Sequence, residues 1–139
     1  MEARYLFKAK RVDNGEWVQG CYIYDVDRDC SKSLNEFAHR IQPLYSHAYA
    51  EPVDPTTICQ CTGLKDKNGK LIWENDIVKD RYGNFYKAFW QNDYYQFSFC
   101  AKTGVFPIGA KWNLWSFKSY EIEVIGNIFD NPELSESEE

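Results

Sequence analysis

Cys59-Gln60-Cys61 is the segment with the most obvious capacity for chemistry, because a C-x-C pair on a strand points two thiols the same way. Zinc needs about four soft or borderline ligands in a tetrahedron, usually from two spaced pairs. No second pair exists, and His39 and His47 are the only histidines, so buried free thiols are expected and no metal. Glu74, Asp76 and Asp80 could pair for acid–base work, but they flank tight turns, where short carboxylates accept backbone N–H bonds. Asp66-Lys67-Asn68-Gly69 looks like the start of a calcium loop without the spaced oxygen ligands or the distal Glu, and reads as a hairpin turn. No Ser or Cys sits in a nucleophile motif, and no glycine-rich phosphate loop occurs. The expectation is a non-enzyme with no cofactor.

The aromatic stretch Tyr82–Phe99 is the strongest binding candidate. It interleaves Lys79, Arg81 and Lys87 with Tyr82, Phe85, Tyr86, Phe89, Trp90, Tyr94 and Tyr95. Three readings stand. One alternate set of rings fills the core, with Phe85, Lys87 and Phe89 on one face and Tyr86, Ala88 and Trp90 on the other. The rings can equally form a protein interface, where Tyr, Trp and Arg are enriched. Stacked rings with flanking cations can also hold single-stranded nucleic acid. Trp112 and Trp115 carry the same ambiguity, since two residues three apart cannot both face the core of a regular strand. The candidate binding residues are Arg81, Tyr82, Tyr86, Lys87, Trp90, Tyr94, Tyr95, Trp112 and Trp115.

These residues need a scaffold, and the composition points to β structure. Ten Tyr, nine Phe and five Trp make up 17% of 139 residues, and rings suit a half-buried pleated surface. Asp13-Asn14-Gly15 predicts a hairpin between Tyr5–Lys10 and Trp17–Tyr24, with Gly20 as a bulge. Ser33 and Glu36 fit a capping box, and Leu34, Phe37, Ala38 and Ile41 recur at helical spacing, which predicts a helix over Ser33–Ile41. Residues 45–57 read as an extended connection. Short strands then follow over Ile58–Thr62, Lys70–Trp73, Asp76–Lys79, Phe85–Gln91, Tyr94–Cys100 and Glu121–Phe129, with Asn92-Asp93 joining the fourth to the fifth. Turns at this spacing suggest a small barrel or sandwich.

The segment from Thr62 to Lys79, TGLKDKNGKLIWENDIVK, resembles the signature of the YopX-like proteins of phages and prophages. The ending VIGNIFDNPEL, Val124–Leu134, is similar to that family's C-terminal motif, and Tyr5–Ala9 matches its first strand more loosely. Asn75 stands where the family commonly has Gly, and Asn also visits the left-handed region. Cys61 stands where an aromatic is usual. The resemblance implies a phage or prophage origin and a β-barrel-like fold, and with the residue pattern the expectation is an all-β, SH3-like domain with one short helical insertion. It carries no catalytic residue onto this chain.

Charge and topology complete the expectations. The formal net charge is −5, yet the last ten residues hold five acids and no base, leaving sixteen of each sign in the body. A single domain over residues 1–130 with an acidic tail over 131–139 is expected. Neutrality of the body disfavours nucleic acid as a partner. No apolar run approaches the roughly 20 residues that span a bilayer, and Met1–Lys10 has no apolar stretch, so the bacterial cytoplasm is the expected location. The working expectation is an accessory protein that binds another protein or itself. Inhibition of a host protein or defence system is one form of that role, and a nucleic-acid-binding small barrel is the alternative.

Overall fold

The structure is a computed structural model and describes residues 3–25, 38–44, 49–103, 111–113 and 121–135, with backbone alone at 103, 111–113 and 135. Among the described residues, eleven strands run in the order β1 (Phe7–Lys10), β2 (Trp17–Tyr24), β3 (His39–Pro43), β4 (Glu51–Pro52), β5 (Cys59–Lys65), β6 (Leu71–Trp73), β7 (Asp76–Asp80), β8 (Phe85–Gln91), β9 (Gln96–Thr103), β10 (Lys111–Asn113) and β11 (Ile122–Asn127). Short 3-10 turns cover Ala3–Tyr5 and Pro55–Thr57, and α1 covers Pro132–Ser135. All strand pairing is antiparallel and neither sheet closes into a barrel. The chain divides into two compact units, Met1–Cys61 and Thr62–Glu139, and β5 passes from the first into the second.

In the first unit the strands lie in the order β4-β3-β2-β1, and the start of β5 pairs with β1. The alternation of β1 and β2 turns Phe7, Ala9, Val18 and Tyr22 to one face, where they pack with Ile41, Val53 and Ile58. Gly20 makes no bulge: it keeps register with Phe7 on one side and Pro43 on the other. Its role is close approach, because an added Cβ would run into the Gln42 carbonyl. The helix expected over Ser33–Ile41 is corrected at its end. His39–Ile41 belong to β3, with Tyr22 opposite Ile41 and Tyr24 opposite His39, while residues 33–37 lie outside the described residues. A β-branched Ile buried completely against a long partner strand outweighs a locally helical spacing. Within the expected connection, β4 forms, and Asp54 caps the following 3-10 turn by accepting from the Thr56 N–H at 2.9 Å.

In the second unit the end of β5 pairs with β6, and the other sheet runs β10-β9-β8-β7-β11. Its core gathers Ile72, Val78, Tyr86, Ala88, Phe99, Ala101 and Ile122, with Leu64 and Val124 packed against it. Two hairpin turns here share one construction. In Asp66–Lys70 and Asp80–Asn84, the first residue's Oδ1 accepts the N–H groups two and four residues on, each at 2.9 Å. Gly69 and Gly83 donate back to the first residue's carbonyl and take φ values of 80° and 86°. That left-handed conformation is open to Gly at little steric cost. The pattern Asp-x-x-Gly thus recurs fourteen residues apart as a working turn.

The other Asp66 oxygen accepts the Val124 N–H at 2.9 Å, and Lys67 N–H donates to the Ile122 carbonyl at 2.9 Å. The turn therefore occupies backbone groups of β11, an edge strand that would otherwise offer them to another chain. Asp76 accepts the Trp73 N–H at 2.8 Å across the tight turn between β6 and β7. Asn75 takes φ 73° there, and its N–H and carbonyl are bound by Ala88 and Ile128. The Asn found in place of Gly keeps that turn, as its left-handed tolerance implies.

Candidate aromatic binding tip

Strand β8 is seven residues long, so its ends lie roughly 23 Å apart at strand rise. That distance splits the aromatic stretch. Arg81 and Tyr82 sit in the turn before β8, Trp90 lies near its end, and Tyr94 and Tyr95 lie in the turn after it. Tyr86 is a core residue at 1% exposure, so its ring is withdrawn from any surface. Its phenol donates to Asp80 Oδ2 at 2.9 Å, and burial together with that carboxylate pushes the Tyr86 hydroxyl above its ordinary range. Lys87 lies in β8 opposite Cys100, on the other face from Tyr86 and Ala88. Trp112 is placed by backbone only, in β10 opposite Phe99, and Trp115 lies outside the described residues.

The turn before β8 is internally satisfied. Asp80 Oδ1 accepts from the Tyr82 and Asn84 N–H groups, and Oδ2 accepts from the Asn84 amide and the Tyr86 hydroxyl. Partial burial works against the charged form, but these donors outweigh it and hold the Asp80 carboxyl below its ordinary value. Asp66 behaves alike: burial opposes its charge, and N–H donors from Val124, Lys70 and Asn68 lower its pKa regardless. Tyr82 is 74% exposed, yet Arg81 lies over its ring at 4.9 Å and donates to its hydroxyl at 2.7 Å.

The turn after β8 is built differently. The sequence expectation has Asn92-Asp93 join the strands directly, but the pair lacks the Gly that two-residue hairpin turns favour. The chain uses a four-residue loop, Asn92–Tyr95, so β9 starts at Gln96 and both tyrosines leave the strand for the turn. Tyr95 closes the loop at φ 52°, a left-handed conformation that is uncommon for an aromatic residue. Tyr94 is 68% exposed, Tyr95 78% and Trp90 41%.

The base of this tip is held on both faces. Trp90 is opposite Phe97 and meets its ring edge-on, with centroids 5.1 Å apart. On the other face, buried Ser98 donates to Gln91 Oε1 at 2.8 Å and accepts from Gln96 Nε2 at 3.2 Å. Trp90 is therefore held before it is covered, which lowers the entropy lost on binding. Phe97 and Asp93 belong to this site and were not among the expected residues. A four-residue loop register, which places Trp90 opposite Phe97, is the signal that brings Phe97 in.

The other candidate residues lie apart from the tip in the sequence. Cys59 and Cys61 are buried, and the Cys59 thiol donates to the Thr57 carbonyl at 3.3 Å. His39 stacks on Tyr22 and receives the edge of Tyr24, and His47 lies outside the described residues. Among the described residues, no three His, Cys, Asp or Glu side chains converge on a metal-sized site, and no helix is long and apolar enough to cross a membrane.

The family described as YopX protein matches residues 6–136, and the chain belongs to that family. Membership points to a protein of phage type. No curated protein matches the chain.

Proposed function

We propose that this chain is a non-catalytic protein-binding component of a phage or prophage, acting in the bacterial cytoplasm, with the tip between β8 and β9 as its contact surface. The observation that carries the reading is the tip itself: three exposed rings on a pinned base, one of them in a backbone conformation that favours Gly. Residues held in sparsely populated conformations cluster at functional sites. Tyr and Trp are also the side chains that most often dominate protein interfaces.

Among the described residues no cation stacks on these rings, which favours protein over nucleic acid. No Lys or Arg occurs between Lys87 and Lys102, and Asp93 sits on the tip itself. Single-stranded nucleic acid needs both stacking platforms and positive charge along the backbone path. The non-catalytic part of the reading rests on the carboxylates: Asp66, Asp76 and Asp80 each hold a turn. A host protein, such as a defence factor, is the class of partner that a phage origin favours.

The test is a photo-crosslinking residue placed at Tyr94 or, as a comparison, at Tyr82, in cells carrying the protein. A discrete protein adduct from position 94 and none from 82 supports the reading. Nucleic-acid adducts at 94, or equal adducts at both positions, contradict it.

A further inference from the structure

Among the described residues, several exposed or half-buried rings fall into two sets, while exposed Tyr24 meets His39 edge-on. In the first, the chain supplies its own cation. Arg4 lies over the Tyr5 ring at 5.1 Å, Arg81 over Tyr82 at 4.9 Å, and Lys8 and Lys10 over Trp17 at 4.6 and 5.4 Å. The negative face of an aromatic ring attracts such charges, and the pairing recurs in both units. In the second set, Trp90, Tyr94 and Tyr95 have no cation among the described residues. Tyr49 has none either, but it is one ring, whereas the tip gathers three within six residues.

We propose that the tip between β8 and β9 is a seat for a cationic side chain, Arg or Lys, carried by a basic segment of another protein. The rings of Trp90, Tyr94 and Tyr95 accept the charge, and Asp93 supplies the countercharge. The proposal rests on the protein-binding reading and adds the chemistry of the partner. Charge complementarity carries it. Asp93 is exposed and makes no ion pair with a described residue, and no basic residue lies between positions 87 and 102 to compete with an incoming cation. The pinned Trp90–Phe97 base keeps one ring presented before the cation arrives. Arg suits such a seat best, because its planar guanidinium stacks on rings and is weakly hydrated.

The experiment titrates the ¹⁵N-labelled full chain with an acetylated, amidated Gly-Arg-Gly-Arg-Gly peptide and with its citrulline counterpart. Citrulline keeps the planar shape and loses the charge. The proposal expects saturable shifts of the Trp90 indole N–H and of the Asp93–Tyr95 amides with the arginine peptide only. Trp90→Ala should weaken binding by about tenfold, and Asp93→Asn by about threefold. Tyr82→Ala, at the far end of β8, should leave it unchanged. Equal shifts with citrulline overturn the proposal, as does equal weakening by Tyr82→Ala. Tip shifts that grow with protein concentration alone identify a second copy as the occupant and also overturn it. Shifts at the tip with an uncharged Gly-Phe-Gly-Leu-Gly peptide, and none with arginine, overturn the cation while leaving the protein-binding reading intact. Tip shifts with a ten-residue thymidine oligonucleotide and with neither peptide overturn both.

Discussion

At the entry to β8, Asp80 gathers four hydrogen bonds and Gly83 takes the positive φ; at its exit, Tyr95 takes it and the Asn92 and Asp93 side chains bond to no described residue. Both turns reverse an antiparallel pair in the same sheet. The first is chemically closed, since its carboxylate is satisfied and its exposed ring is covered by its own arginine. The second leaves Tyr94 and Tyr95 exposed and Trp90 partly exposed against Phe97, and it accepts a Tyr in a left-handed conformation. The difference separates residues that hold the fold from residues free to meet something else.

The largest effect expected from breaking this contrast is at Asp80. Asp80→Ala removes the acceptor of the Tyr86 hydroxyl and of the Tyr82 and Asn84 N–H groups, and should cost about 3 kcal/mol in urea unfolding. Truncation at Asp93, where no such bond exists, should cost under about 0.5 kcal/mol.

Acid should expose the same asymmetry. The Asp66 and Asp80 carboxyls lie below their ordinary value in the folded chain. Their stabilisation is therefore complete above about pH 5, the upper limit of carboxylate titration in the unfolded chain, and is lost as pH falls through the folded values. Asp80→Asn should flatten the loss of stability below about pH 4. An unchanged acid limb in that variant would show that Asp80 is not held by its donors.

Smaller effects distinguish the two turns. Gly83→Ala places a Cβ at φ 86° and should destabilise by about 1 kcal/mol, with no neighbouring atom to blame. Tyr94→Ser should change stability by less than about 0.5 kcal/mol, as its ring is exposed. A large loss in that variant would move Tyr94 from the surface account to the fold.

Much of the scaffold was legible because strand alternation and Gly- or Asp-bearing turns are local signals. The bounds of β2 and β8 agree with the pattern read from Trp17–Tyr24 and Phe85–Gln91. The segment from Thr62 to Lys79 identified the family, and its Asp66, Asn75, Asp76 and Gly69 now have defined work in turns and at an edge strand. What was not legible depends on long-range pairing. Ile41 has helical spacing with its sequence neighbours, and only the approach of Tyr22 makes it strand. The site was half legible for a similar reason. Sequence interleaves Arg81 and Lys87 with the rings, but the length of β8 carries Arg81 away from the tip, and pleat alternation turns Lys87 to the opposite face. Tyr95 in a left-handed conformation could not be read at all, because nothing in its side chain asks for it.

That residue is where the account is most exposed. If Tyr95 is kept for contact rather than for folding, Tyr95→Gly should relieve backbone strain. The urea midpoint should then rise at an unchanged m-value, by about 1 kcal/mol of stability. A fall in the midpoint would contradict the account, because it would show that the exposed ring supports the fold and that the tip is structure rather than binding surface.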